Sequence, residues 1–492
     1  MNADEICALS AVELVRSTRD GSLLVETVVD AVLARVEKYD SRYRAFALVD
    51  KDGARQAARS ADIARANGEV LGALHGIPFS VKDVILTEGL ETTFGSKLMA
   101  GNIPDRDASA VARLKAAGAV LIGKTTTPEF AHKTLTDSPK YGVTRNPWNL
   151  EFSPGGSSGG AAVATATGMG PLAVTTDGAG SSRIPASCCG VLGLKATLGR
   201  IANESAADLF SNFSYIGAIT RTTGDLSAML NVMTGSHPGD PWTRAAVCPP
   251  CKIPADPMMA IRGLRVHYKP YLGNHLLDDS VSEAMERTLV ILADAGVAIT
   301  RSDGKEEWGN EMARVAIRGL ISARMAHYSE DERQLMDPSL SASIIEGDAI
   351  SAKAAKEVPL LRSALYRQTE EIFADSDLLL TPCVSAPPPR AGHNALDPIE
   401  INGKIAGPLR ANWYNYPAPF NLTGHPAISI PAGQTAEGLP TGLQAVAPWF
   451  GEQRLIDLAA LLERLQPWSM PSNLVLANKR ADVLKPDKFY ID

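Results

Sequence analysis

Residues 151–189, EFSPGGSSGGAAVATATGMGPLAVTTDGAGSSRIPASCC, are the most informative stretch of the sequence. They hold two serine clusters embedded in glycine, at residues 155–160 and 178–182. Glycine lets backbone approach backbone or ligand closely, and consecutive glycines around a hydroxyl leave several N–H groups free to point at one spot. Such N–H groups can bind an oxyanion that develops beside a serine nucleophile. One cluster alone would indicate a flexible turn, whereas two clusters joined by a small-residue helix and an apolar strand indicate a functional site.

The segment that ends at Lys82 supplies a candidate base. Strands and helices alternate through residues 70–200, which predicts a layered α/β fold. Within this part, the predicted strand 79–82 carries no charge other than Lys82, which is typical of a buried strand. Burial shifts a lysine toward its neutral form, and a base must be neutral. The alternative, a surface lysine paired with Asp83, would be preferred if the two serine clusters were missing.

The remaining chain shows no internal repeat, and residues 1–492 are predicted to form a single domain with 70–200 as its catalytic core. A capping box, Ser10-x-x-Glu13, opens the first helix. Apolar periodicity predicts further helices at 22–38, 52–66, 107–117, 159–166, 225–233, 280–295, 306–332, 352–375 and 452–465. The proline-rich residues 238–257 predict a long surface connection.

The second cluster with its flanks, TDGAGSSRIPA at residues 176–186, resembles the core of the amidase signature family, serine hydrolases of amides that use a Ser–Ser–Lys triad. Similar segments occur at residues 76–83, 123–130, 142–148, 421–433 and 438–444. The resemblance implies the family's α/β fold, a large mixed central β-sheet sandwiched by α-helices. It also implies Ser181 as the nucleophile, Ser157 as the serine that follows a cis peptide bond, and Lys82 as the base.

The resemblance assigns further roles around these three residues. It implies an oxyanion hole formed by the N–H groups of Gly178, Ala179, Gly180 and Ser181. It implies supporting roles for Ser158, which would orient Ser157, and for Asp177 and Arg183, which would hold the loop. The substrate-binding positions it suggests are Phe130, His132, Gly156, Gly319 and Ile321. Residues 258–376 match the family least, and this mainly helical region is expected to shape the pocket.

Two positions depart from the family pattern beside the nucleophile. Ala179 stands where glycine is usual, and its methyl group narrows the backbone angles available to the oxyanion loop. Ser182 stands where isoleucine is usual. An alanine N–H can still donate, so the oxyanion hole is retained in the prediction.

The expected activity is cleavage of small non-peptide amides, namely an amide, anilide, lactam or carbamate, through an acyl-enzyme and without a metal or cofactor. Within the family, residues 144–150 and 184–193 resemble the aminohexanoate cyclic dimer hydrolases. One alternative is a glutamine-hydrolysing amidotransferase subunit that works in a complex. Another is a binding protein without catalysis, which the intact Lys82, Ser157 and Ser181 argue against.

Two other catalytic motifs appear by pattern alone. Residues 118–125 satisfy the Walker A pattern, but the four variable positions form the predicted strand, whereas a phosphate-binding loop must follow a strand and open a helix. Gly155-x-Ser157-x-Gly159 has the spacing of a nucleophile elbow. An α/β-hydrolase esterase built on it would need a later acid and histidine, with His425 as the candidate.

Charge and cysteine usage limit the partners. The net charge of −7 gives no support for binding to nucleic acid or to an anionic membrane surface. The first residues lack a secretory signal pattern, and no apolar run reaches about 20 residues, so a cytoplasmic enzyme with a small-molecule substrate is expected, with a homodimer left open. Cys248-Pro-Pro-Cys251 lacks the second ligand pair of a zinc site and lies in a proline-rich loop, which favours reduced thiols over a metal or redox pair.

Overall fold

A computed structural model of the chain describes residues 1–471. Its strands are β1 Phe46–Val49, β2 Pro78–Lys82, β3 Val120–Thr125, β4 Asp137–Ser138, β5 Gly142–Val143, β6 Leu172–Asp177, β7 Leu192–Lys195, β8 Tyr215–Thr220, β9 Arg265–Tyr268, β10 Ala298–Arg301, β11 Leu378–Pro382, β12 Pro398–Ile401, β13 Lys404–Pro408, β14 Ala427–Gln434 and β15 Pro440–Val446. Eleven of these form one sheet in the order β1-β3-β2-β6-β8-β7-β14-β15-β11-β9-β10. The sheet is mixed, because β2 is parallel to β3 and β6 whereas β8 is antiparallel to β6 and β7.

Helices flank this sheet. They are α1 Ala3–Ala8, α2 Ala11–Asp20, α3 Val25–Tyr43, α4 Lys51–Ala66, α5 Ser109–Ala116, α6 Gly159–Ala166, α7 Arg183–Cys189, α8 Thr223–Met233, α9 Pro257–Ala260, α10 Asp279–Asp294, α11 Asn310–Met325, α12 Glu330–Arg333, α13 Pro338–Asp348, α14 Ala352–Asp375, α15 Leu409–Asn412, α16 Ala418–Thr423 and α17 Glu452–Leu465. The large mixed sheet between helices confirms the predicted α/β fold. In the described part of the chain, no helix is long and apolar enough to cross a membrane.

The central strands of the sheet are buried on both faces. Every residue of β2 and of β3 is buried. Parallel strands covered by helices on both sides are expected to read this way. Because β2 and β6 are parallel neighbours, their carboxyl ends meet at one edge of the sheet, and these ends carry Lys82 and Asp177. The fold thereby brings a lysine and the second glycine–serine cluster together.

Most predicted helices occur close to their expected bounds. The predicted capping box is present, since Ser10 and Glu13 bond each other's backbone at the start of α2, and α6, α14 and α17 have the predicted ends. The predicted single helix 306–332 is wrong: α11 ends at Met325, and a new capping box, Ser329 with Glu332, opens the separate helix α12. A periodic apolar pattern does not reveal such an internal stop.

Candidate active site

Lys82 lies at the end of β2 with no solvent exposure. Its Nζ atom lies 2.7 Å from Oγ of Ser157 and 2.9 Å from Oγ1 of Thr176. Burial lowers the pKa of Lys82 to about 7, against a smaller opposing effect of the Asp177 charge. An amine with a pKa near 7 beside a hydroxyl group can exchange a proton with it near neutral pH. Thr176, its second partner, was not among the predicted site residues.

Ser157 lies in a tight turn, residues 155–158, that leads directly into α6. The peptide bond between Gly156 and Ser157 is cis, as the resemblance implied. Thr136 holds this turn from outside: its hydroxyl donates to the carbonyl oxygen of Gly155 at 2.8 Å and accepts from the N–H of Gly159 at 3.0 Å. A Cβ on Gly156 would lie 2.8 Å from the carbonyl carbon of Thr134, so a side chain does not fit there. Gly156 thus makes room for the backbone of Thr134.

The second cluster packs directly on the first. The N–H of Ser158 donates to the carbonyl oxygen of Ser181 at 3.2 Å, and the Ser158 hydroxyl donates to the carbonyl oxygen of Thr176 at 3.3 Å. Ser181 retains 7% exposure, whereas Ser157 has none. The two serines are therefore held on adjoining loops, with Ser181 the more accessible. Ser158 links the two loops, and its predicted role of orienting Ser157 stays a prediction.

Asp177 organises the loop that carries Ser181. Its carboxylate accepts from the N–H of Gly180 at 2.6 Å and from the N–H of Ser182 at 3.2 Å. It also forms a two-pronged ion pair with Arg183, both contacts at 2.9 Å. Burial acts to raise the pKa of Asp177, but Arg183 and hydrogen-bond donors that include the Gly180 N–H outweigh it and hold the pKa well below its usual range. The predicted role of the Asp177–Arg183 pair in holding the loop matches these contacts.

These contacts correct one member of the expected oxyanion hole. The Gly180 N–H is already bonded to Asp177 inside the loop, so the donors left from the expected set are those of Gly178, Ala179 and Ser181. The need for glycine at position 180 is conformational, since its φ is 107°. Ala179 causes no strain of the kind its methyl group suggested, because the left-handed angle falls on the next residue and the alanine side chain packs in an apolar cluster with Trp308.

Two amide side chains from the far end of the chain complete the loop, and neither was predicted from the sequence. Asn421 donates to the carbonyl oxygen and to Oδ1 of Asp177 and accepts from Arg183 at 2.6 Å. Gln444 accepts from Arg183 at 2.6 Å. Both are buried. The sequence held a sign that Gln444 is a structural or functional residue, because it lies in an otherwise apolar predicted strand. A buried polar residue in such a strand must find a hydrogen-bond partner.

The expected substrate contacts other than Gly156 differ in their surroundings. Phe130 and Ile321 belong to one apolar cluster with Tyr328, at the side of α11 and α13, and the Phe130 and Tyr328 rings are 6.0 Å apart. A Cβ on Gly319 would meet only Ile350, at 3.8 Å, so there is free space beside it. His132 is different: its ring nitrogens bond the Glu129 carbonyl oxygen at 2.7 Å and the Ser339 hydroxyl at 2.6 Å.

The competing motifs do not form sites. Lys124 lies within β3 and not at the start of a helix, where a phosphate-binding loop would place it. Its Nζ atom donates to the Thr87 hydroxyl at 2.8 Å and to the Thr92 hydroxyl at 3.0 Å. His425 bonds Thr423 and Glu370, each at 2.8 Å, and not Ser157. Cys248 and Cys251 are both free thiols. Within residues 1–471, no group of three or more metal-ligating side chains is positioned to hold a metal.

Comparison with known proteins gives one family over most of the chain. The model of the Amidase family matches residues 27–456. The chain is 34% identical over 467 residues to the acylamidase of Rhodococcus erythropolis, covering 94% of this chain and 96% of that protein. It is also 34% identical over 478 residues to a glutamyl-tRNA(Gln) amidotransferase subunit of Roseiflexus sp. (strain RS-1), covering 91% and 94%.

Solved structures show the same architecture. A bacterial aryl acylamidase of the amidase signature family superposes with a TM-score of 0.87 at 26% identity, covering 95% of this chain and 98% of that one. The 6-aminohexanoate cyclic dimer hydrolase superposes with a TM-score of 0.83 at 28% identity, covering 96% and 100%.

Proposed function

Because the chain belongs to the amidase signature family and is a hydrolase of carbon–nitrogen bonds, we propose that it cleaves small non-peptide amides through an acyl-enzyme on Ser181. One observation carries this proposal: a buried Lys82 amine with a pKa of about 7 lies 2.7 Å from the Ser157 hydroxyl. A surface or ion-paired lysine would be charged and would have a carboxylate partner. Lys82 instead has two hydroxyl partners, which suits a proton acceptor.

The proposed mechanism passes protons along the three side chains. Neutral Lys82 withdraws a proton from Ser157, and Ser157 withdraws one from Ser181 as the Ser181 oxygen attacks the amide carbonyl. The proton transfers then reverse: Ser157 protonates the departing amine and regains a proton from Lys82. The acyl group stays bonded to Ser181. Water releases the acyl group in a second round of the same proton transfers.

Backbone N–H groups of the second cluster would bind the oxyanion that forms during each attack. The donors are those of Gly178, Ala179 and Ser181, because the Gly180 N–H is held by Asp177. The buried Asp177–Arg183 pair fixes their direction before substrate arrives. Removing one preorganised donor of this kind from a hydrolase costs about 3–4 kcal/mol of transition-state stabilisation.

The proposed substrate is an amide with an apolar or aromatic group, such as an anilide. The apolar cluster of Phe130, Ile321 and Tyr328 supports this choice, as do the relatives described as acylamidase and aryl acylamidase. Lactams and carbamates remain members of the proposed class. We further propose that residues 258–376, which carry α11 and α13, form the pocket wall.

Amine release from a panel of substrates tests this function. The panel holds an anilide, a primary aliphatic amide, an aryl carbamate, a cyclic dimer amide and glutamine, with Ser181→Ala as the matched control. Cleavage of a non-peptide amide that disappears in Ser181→Ala supports the proposal. A folded wild-type protein that releases no amine from any of them contradicts it.

The second candidate is a glutamine-hydrolysing amidotransferase subunit, which the likeness to several glutamyl-tRNA(Gln) amidotransferase subunits favours. Such a protein would release ammonia from glutamine and depend on partner chains for its activity. Glutamine as the best substrate in the panel, or activity that appears only when partner chains co-purify, would favour this alternative.

A further inference from the structure

Residues 129–137 connect the turn that carries Ser157 to the proposed pocket wall. On one side, the backbone of Thr134 packs against Gly156, and the Thr136 hydroxyl bonds both Gly155 and Gly159. These contacts hold residues on both sides of Ser157. A shift of this segment would therefore move the turn that places the Ser157 hydroxyl.

On its other side, the segment is tied to the start of α13 by a buried polar network. Lys133 Nζ lies 2.7 Å from Oδ2 of Asp337, and the Asp337 N–H donates to Oε2 of Glu129 at 2.6 Å. Asp337 Oδ1 accepts from the N–H and the hydroxyl of Ser339, at 2.8 and 2.6 Å. The Ser339 hydroxyl in turn bonds His132. Asp337 is thus the N-terminal cap of α13 and an ion-pair partner of Lys133 in the segment 129–137.

The charged groups of this network are buried, and their burial costs free energy. The Lys133 and Asp337 side chains are 9% and 8% exposed, and that of His132 is 1% exposed. Taking an ion pair out of water costs several kcal/mol, so a buried pair is weak evidence for stability. The Lys133–Asp337 pair nevertheless has a geometric consequence, because it fixes the distance between α13 and the segment 129–137. Lys133 has a second acidic partner at 2.7 Å, Asp137, which lies on the segment itself and makes no such link.

We propose that Asp337 is a positioning residue for Ser157, acting through Lys133 and the segment 129–137, and that it couples the pocket wall to proton transfer. This inference rests on the proposed function, since it assumes that Ser157 delivers a proton to the departing amine. It accounts for the arrangement of His132, which the sequence suggested as a substrate contact. His132 instead bonds Glu129 and Ser339 within this network, and burial lowers its pKa to about 4, so it is neutral.

The test compares an amide with an ester of the same acyl group. An amine leaving group must be protonated by Ser157, whereas p-nitrophenolate leaves without a proton. Asp337→Asn keeps the size of the side chain and an oxygen for Ser339 but removes the charge that faces Lys133. We expect kcat for the amide to fall by about 10- to 100-fold, with the p-nitrophenyl ester affected markedly less and KM for the amide changed little.

Asp137→Asn is the matched control, because it removes the same charge from the same lysine without touching α13. The proposal requires a near wild-type amide-to-ester ratio for Asp137→Asn and a reduced ratio for Asp337→Asn. Equal losses of amide and ester cleavage in Asp337→Asn, or equal effects of the two variants, overturn it. If wild-type enzyme cleaves no amide, the proposed function has failed, and the inference falls with it.

A milder variant covers the case in which Asp337→Asn does not fold. Ser339→Ala removes the hydroxyl that joins His132 to Asp337 and leaves the Lys133–Asp337 pair in place. It should lower the amide-to-ester ratio in the same direction by a smaller factor. Asp337→Glu, which retains the charge, should recover part of the ratio. An unchanged ratio in folded Ser339→Ala, together with no gain from Asp337→Glu over Asp337→Asn, counts against the proposal.

Discussion

Asn421 donates its side-chain amide to both the carbonyl oxygen and Oδ1 of Asp177, at 2.7 and 2.9 Å, across 244 residues of sequence. The same side chain accepts from Arg183 at 2.6 Å. The loop that presents Ser181 is therefore held from its own strand, from the following helix and from α16. Three separate elements of the fold thus fix the direction of the Asp177 carboxylate.

Replacing Asn421 by Ala removes these bonds and leaves buried Asp177 and Arg183 with unmade contacts. We expect the free energy of unfolding to fall by about 2–4 kcal/mol and kcat to fall as the Ser181 loop loosens. Urea denaturation and kcat for the best panel substrate measure the two effects. Asn67→Ala, at an exposed helix end, is the control and should stay within about 0.5 kcal/mol of wild type. Matching behaviour of the two variants would refute the assigned role.

The pKa of Lys82 predicts the pH dependence of amide cleavage. Its ordinary value is 10.5, and burial lowers it to about 7. The base must be neutral, so kcat should rise by about tenfold per pH unit below the pKa and level off above it. Lys82→Arg, which stays charged throughout this range, should lose activity by at least about 100-fold. A rate in wild type that falls as pH rises from about 6 to 8 would be inconsistent with a lysine base.

Gly180→Ala tests the conformation of the oxyanion loop. The φ of 107° is in the region that L side chains rarely adopt, and a Cβ there would lie 2.6 Å from Cβ of Pro417. The loop must therefore shift, which moves the Ser181 hydroxyl, and we expect kcat to fall by about 100-fold or more. Circular dichroism establishes that the variant is folded. Undiminished turnover in folded Gly180→Ala would show that the loop geometry is not needed.

Gly319→Ala probes the free space along α11. A Cβ at this position meets only Ile350, at 3.8 Å, and glycine in a helix interior costs about 0.5–1 kcal/mol relative to alanine. We expect the variant to be more stable by about that amount in urea denaturation. If Gly319 borders the substrate, KM should rise for a bulky anilide and not for a small aliphatic amide. Equal KM values for both substrates in variant and wild type would remove Gly319 from the pocket.

The sequence predicted the parts of the site that depend on local pattern. Lys82 could be found because it is the sole charge of a buried strand, and the serine clusters because their glycines mark unusual backbone. The partner of Asn421 and Gln444 could not be predicted from local pattern, since Arg183 lies 238 and 261 residues away in the chain and is reached only when the sheet closes.

Helices were predictable where an apolar stripe and a cap agree, as in α2 with its capping box. Helix α7 was missed because its sequence, RIPASCC, is buried on all sides and so has no polar face to create a period. The fate of His132 was also beyond the sequence: whether a histidine faces substrate or a buried network depends on Ser339 and Asp337, which belong to another part of the chain.

The order of strands has a consequence for how this enzyme can diversify. Lys82, Ser157 and Ser181 come from neighbouring strands β2 and β6 and the loops beside them, whereas α11 and α13 enter the chain between β10 and β11, at the far edge of the sheet. Substitutions in those helices leave the central strands untouched. On the proposed assignment of α11 and α13 to the pocket wall, selection can therefore exchange the substrate while the proposed chemistry is inherited unchanged, provided that the contact through Asp337 is kept.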